Sequence, residues 1–245
     1  MSDNKKLWWV FVQPFLFVAL LWAIFGLDLY LDLNLYQYSL LPRDFSQWFG
    51  VFTFPLIHGG IDHIAGNTWS IFILLAAVRY FFPQIFGKVF WASFLLPGVI
   101  TFFIARPSFH LGASGMVYSL VAFLFFSGVI RLNRYLLALS MLMVFLYGNS
   151  VWYIFPIEEG ISWEGHLSGG IIGLALAIVF RKSEPTVYVK EKEYFKEETS
   201  EDDPIIGDLW KPPSERKPAE EKTPEPTVVK KNNKKFNNNV FKLIS

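Results

Sequence analysis

The sequence predicts an all-α fold, a polytopic membrane bundle of six transmembrane helices followed by a disordered, charged cytoplasmic tail. Three observations predict it. Hydrophobic residues make up 53% of the chain and aromatics 18%, well beyond an ordinary soluble domain. That surplus is concentrated in residues 7–182 and divides into six stretches near the ~20 residues a bilayer requires. Basic residues gather on alternate connections, as the positive-inside rule demands. The net charge of +1 gives no global field toward nucleic acid. The absence of cysteine excludes disulfides, thiolate nucleophiles and cysteine-ligated metals.

The first span is "LWWVFVQPFLFVALLWAIFGL", 7–27. It follows Lys5 and Lys6 but is longer than a signal-peptide core and lacks a small-residue cleavage site, so it reads as a retained helix. The connection after it, "DLYLDLNLYQYSLLPRDFSQWFGVFTFPLIHGG", mixes Leu, Phe and Tyr with charges, which suits a structure lying partly in the membrane interface. The remaining spans are expected at 63–82, 85–105, 113–130, 135–155 and 165–180. With the N-terminus inside, Lys5, Lys6, Arg79, Lys88, Arg131, Arg134, Arg181 and Lys182 lie on one side, against Arg43 and Arg106 on the other. Both termini are therefore expected in the cytoplasm, with the chain multi-pass in the cytoplasmic membrane. From Ser183 to Ser245 charges, prolines and asparagines dominate, so residues 183–245 read as a solvated tail after a 1–182 membrane domain. The apolar islands "PIIGDLW" and "NVFKLIS" are candidate docking motifs within it.

Polar residues recur at one depth. The second, fourth and sixth spans run in the same direction, and each ends at an arginine. His63 lies 16 residues before Arg79, Ser114 17 before Arg131, and His166 15 before Arg181. These separations correspond to ~24, ~26 and ~23 Å of helix, just short of a 30 Å core. All four histidines, 58, 63, 110 and 166, cluster at the same ends. Ionisable groups at membrane depth usually face a bundle interior or a wet cavity. Gly165, Gly169 and Gly173 share one face of the sixth span and allow close backbone approach, while Gly112 and Gly115 thin the entrance of the fourth.

A serine becomes nucleophilic when a base removes its proton, and histidine is the usual base. Ser114 and His166 can fill those roles. The unpaired N–H groups at a helix start, with His63 and Asn67 four apart on one face, can stabilise an oxyanion. No third member is evident. Asp62 reads as a helix N-cap, and Glu164 as an interfacial or capping residue. A Ser–His pair without a carboxylate implies modest turnover. A metal site is disfavoured, since no carboxylate pair or H-E-x-x-H helix accompanies the histidines, and no cofactor is expected.

The pieces "GASG" with Ser114, "GHLSGGIIG" with His166 and "HGGIDHIAGN" with His63 and Asn67 resemble the rhomboid family of intramembrane serine proteases, in its basic six-helix form. The resemblance covers about residues 45–182. It implies a Ser114 nucleophile, a His166 base and an oxyanion hole from His63, Asn67 and the Ser114 N–H. It further implies that Tyr118 stacks on His166, that Gly169 and Gly173 pack the sixth helix on the fourth, and that His58 is structural. Phe145, Trp152 and Phe155 of the fifth span would face a transmembrane protein substrate entering from the bilayer. The chain departs from the family pattern in lacking a Trp-Arg pair in the first connection and in carrying Leu111 before Gly112. Two other readings stay open: an inactive relative that binds membrane clients, and a channel or transporter with a histidine-lined cavity.

Overall fold

In hydrocarbon every backbone donor must find its acceptor within its own segment, so apolar runs of spanning length become helices. A computed structural model describes residues 3–158, 160–186, 212 and 214. Within it the runs form α1 (Asp3–Leu31), α2 (Ile61–Phe81), α3 (Phe86–Ile104), α4 (Ser114–Arg131), α5 (Arg134–Tyr147) and α6 (Trp163–Val179). Among the described residues five helical segments are long and apolar enough to cross a membrane, and α6, with 17 residues, is shorter. The protein is a multi-pass, all-α membrane protein, and its one extended backbone pairing among the described residues joins Leu40 to His110. The expected tail falls, beyond Thr186, almost wholly outside the described residues, as do both apolar islands.

Two boundaries differ from expectation for local reasons. The fifth apolar run does not stay α-helical to its end. After Tyr147 it tightens into a 3-10 helix, Gly148–Ile154, where Gly148, Asn149 and Ser150 weaken α-helix propensity. Asp62 is not the N-cap of α2; Gly60 holds that position and Asp62 lies inside the first turn, where its charge suits the helix dipole. Asn133 does cap α5, accepting from the N–H groups of Tyr135 and Leu136 at 3.0 and 3.3 Å, a contribution of roughly 1 kcal/mol.

Helices in lipid associate through close packing and polar contacts rather than through exclusion of water. Leu21, Ile71, Leu74, Phe82, Leu120 and Phe123 are fully buried at the centre of the bundle. Hydroxyls bridge the helices around them. Ser119 Oγ donates to Ser93 Oγ at 2.8 Å between α4 and α3, and Trp22 Nε1 donates to Thr68 Oγ1 at 2.9 Å between α1 and α2.

The first connection is held to the bundle without a Trp-Arg pair. Leu40 and His110 exchange backbone hydrogen bonds of 3.0 and 2.8 Å, and the Arg43 N–H donates to Phe102 O at 3.0 Å. The Arg43 guanidinium donates to Ala105 O at 2.7 Å, and Phe45 meets Phe102 edge to face. Gly50 lets this connection fold tightly, since a Cβ there would stand 2.8 Å from the Leu40 Cα.

Candidate active site

Ser114 is the first residue of α4, after Ala113 at the N-cap. The opening N–H groups of that helix have no intrahelical acceptor. His166 lies in the first turn of α6, and α6 packs against α4 along its glycines. A Cβ at Gly169 would collide with the Gly115 carbonyl and stand 3.0 Å from the Tyr118 Cβ; one at Gly173 would collide with the Ser119 carbonyl. Only hydrogen at these two positions allows the observed separation. That approach brings Ser114 Oγ to 2.9 Å from His166 Nε2.

The tautomer of His166 follows from its other nitrogen. Nδ1 lies 3.0 Å from the backbone carbonyl of Tyr153. A carbonyl only accepts, so Nδ1 carries the hydrogen and Nε2 presents its lone pair to Ser114. Tyr118 stacks on the His166 ring, centroids 4.2 Å apart and planes within 10°. Its hydroxyl donates to Ser150 O at 2.6 Å, so two carbonyls of the 3-10 segment hold the ring and its stacking partner. Neither was legible as a candidate, because a backbone carbonyl leaves no trace in residue identity.

His63 and Asn67 converge on the turn before Ser114. Gly112 has φ +102°, a conformation that favours glycine. A Cβ there would collide with the His63 ring and lie 3.6 Å from Asn67 Nδ2. Asn67 is buried, and its Nδ2 has no hydrogen-bond partner among the described residues. A buried amide donor left unpaired is costly. His58 packs edge to face on His63, centroids 5.1 Å apart, and its Nε2 accepts the Ala113 N–H at 3.5 Å. Burial, with His63 beside it, pushes the His58 pKa down to about 4, so it stays neutral.

A cavity of about 670 Å³ begins at Tyr118, one turn along α4 from Ser114. Val117, Val121, Met143, Ser150 and Leu167 line it, a mostly apolar surface formed by α4, α5, the 3-10 segment and α6. Phe145 of α5, Trp152 of the 3-10 segment and Phe155 just after it are exposed. Glu164 does not cap its own helix; its Oε1 accepts from the Arg106 N–H. It is buried and faces the connection between α3 and α4.

Residues 46–183 match the Rhomboid domain profile. The chain belongs to the rhomboid family. Curated relatives are uncharacterized mycobacterial proteins. One from Mycobacterium tuberculosis is 28% identical over 182 residues, covering 69% of this rhomboid chain and 74% of the relative. One from Mycobacterium leprae is 24% identical over 194 residues, covering 75% and 77% respectively. Members of the family are usually serine intramembrane proteases. In this rhomboid protein Ser114 Oγ and His166 Nε2 lie within hydrogen-bonding distance.

Proposed function

We propose that this rhomboid protein is an intramembrane serine protease that hydrolyses a peptide bond in or near the transmembrane helix of a membrane protein. The observation that carries the reading is the 2.9 Å approach of Ser114 Oγ to a His166 whose Nδ1 is held by the Tyr153 carbonyl. His166 Nε2 takes the hydroxyl proton as Oγ attacks the scissile carbonyl carbon. The tetrahedral oxyanion is met by the Ser114 N–H, Asn67 Nδ2 and His63. The imidazolium returns the proton to the leaving amine, and the bond to nitrogen breaks. Water then attacks the acyl-enzyme, again losing its proton to His166, and the serine is released. No metal or cofactor takes part.

The charge distribution supports six spans, with α6 as the last and both termini in the cytoplasm. Residues 1–182 form the membrane domain in this reading, and 183–245 the tail. The cut then falls near the extracytoplasmic face. The apolar cavity suits a substrate segment arriving from lipid, past Phe145, Trp152 and Phe155.

A transmembrane substrate must leave helical geometry before its carbonyl can meet Ser114, since its backbone is bonded to itself. Purified protein in liposomes is expected to cut a labelled transmembrane substrate that carries Gly or Pro near the bond, after a small residue. Replacing those helix-weakening residues with Leu should slow the cut about tenfold or more, as each such residue contributes ~1–3 kcal/mol to unwinding. Equal rates would contradict the reading. Asn67→Ala should lower kcat roughly 10²-fold with KM little changed, the usual cost of one oxyanion donor; steady-state kinetics on the same substrate decide it.

A further inference from the structure

A carboxylate in an apolar bundle is expensive to bury unless it is paired. Glu164 is 2% exposed and lies two residues before His166, hence on the other side of the first turn of α6. There its Oε1 accepts the backbone N–H of Arg106 at 3.2 Å and stands 3.8 Å from the Arg106 Nε. Arg106 also donates through its guanidinium to Ile161 O at 2.5 Å. Four residues further, His110 Nδ1 lies 2.6 Å from Ser162 Oγ, while the His110 backbone pairs with Leu40. The connection 105–113 is thus tied at two points to residues 161–164 and at a third to the first connection.

That connection delivers Ser114, and residues 161–164 deliver His166. Deeper in the bundle Gly169 and Gly173 fix the spacing of α4 and α6. At the mouth the chain before Ser114 is not helical; backbone bonds of His110 and Gly112 hold it to Leu40 and Phe54, and among the described residues only side chains hold it to α6. A glutamate in a first turn gains from the helix dipole while remaining solvated. Packing alone would be served as well by an apolar residue of the same size. Burying the charge against a loop N–H serves to fix that loop.

We propose that Glu164 is a positioning residue that, through Arg106, holds the 105–113 connection against the first turn of α6 and so sets the separation of Ser114 Oγ from His166 Nε2. It rests on the protease reading. Glu164→Ala is expected to lower kcat about 10- to 100-fold, with KM within about twofold, because a displacement near 1 Å is enough to lose that much. Glu164→Gln keeps an acceptor for the Arg106 N–H and should stay within about fivefold of wild type. Adding Arg106→Ala to Glu164→Ala should lower kcat further, since the Arg106 guanidinium also ties the connection to Ile161 O independently of Glu164.

The tie itself is read without activity. The chain has no cysteine, so nitroxide labels can be placed at Ser108→Cys and Val179→Cys, both exposed positions. Their distance distribution should be narrow, and should broaden or shift in Glu164→Ala. An unchanged distribution overturns the proposal, as does a changed one with normal kcat, or a loss of rate that Glu164→Gln does not restore. Wild-type protein that neither cleaves nor accepts a serine-directed probe would instead remove the protease reading, while the spin labels would still judge the tie.

Discussion

Ser114→Ala is expected to abolish cleavage of a transmembrane substrate, lowering the rate by at least ~10³-fold, while leaving the bundle folded. Members of a nucleophile–base pair act as a unit, so removing one forfeits nearly all the acceleration that depends on both. His166→Ala should cost about as much, and the double variant little more than either. The fold has no stake in this hydroxyl. Ser114 makes its described side-chain hydrogen bond to His166, and the N-cap position of α4 is Ala113, with no side-chain cap. Thermal unfolding in detergent should therefore move little in Ser114→Ala. Cleavage that survives both substitutions would show that the 2.9 Å pair is not the reacting pair.

Gly169→Ala is expected to be nearly as damaging, by a different route. The added methyl meets the Gly115 carbonyl and the Tyr118 Cβ, neither of which can swing aside as a long side chain would. Helix α6 must therefore move away from α4, carrying His166 from Ser114 and unstacking Tyr118. Overpacking of this kind costs about 1–3 kcal/mol of stability, and a shift near 1 Å at the pair should lower kcat roughly 10²-fold. Gly87→Ala in α3 is the control, since nothing lies within 4 Å of a Cβ there. It should melt at or slightly above wild type, because alanine favours helix by up to ~1 kcal/mol. Equal melting temperatures and rates for both variants would mean that α4 and α6 are not spaced by their glycines.

Much of this was legible in the chain because a membrane narrows the choices. Apolar length sets where α1 to α4 lie, and a match in depth brings His63, Ser114 and His166 to one level before any contact is known. Glycines four apart state which face of α6 meets a neighbour. What stayed hidden depends on backbone atoms and on partners distant in sequence. The Tyr153 carbonyl that fixes the His166 tautomer could be any residue's carbonyl. The end of the fifth run tightens at Gly148 although its hydropathy continues. Asp62 reads as a cap, yet Gly60 holds the N-cap position and Asp62 is the second residue of α2. Glu164 reads as interfacial or capping, and its contact with Arg106 stays hidden because that residue lies 58 positions away. Arg43 likewise anchors the first connection through carbonyls at Phe103 and Ala105, a role that residue type alone does not reveal.

The central claim is that Ser114 is activated by His166. Treatment with a fluorophosphonate, followed by peptide mapping by mass spectrometry, tests it most directly. Wild-type protein should carry the adduct on Ser114, and the rate of its formation should fall at least ~10²-fold in His166→Ala. Protein that cuts its substrate while Ser114 stays unmodified, or an adduct forming at the same rate without the imidazole, would contradict the account.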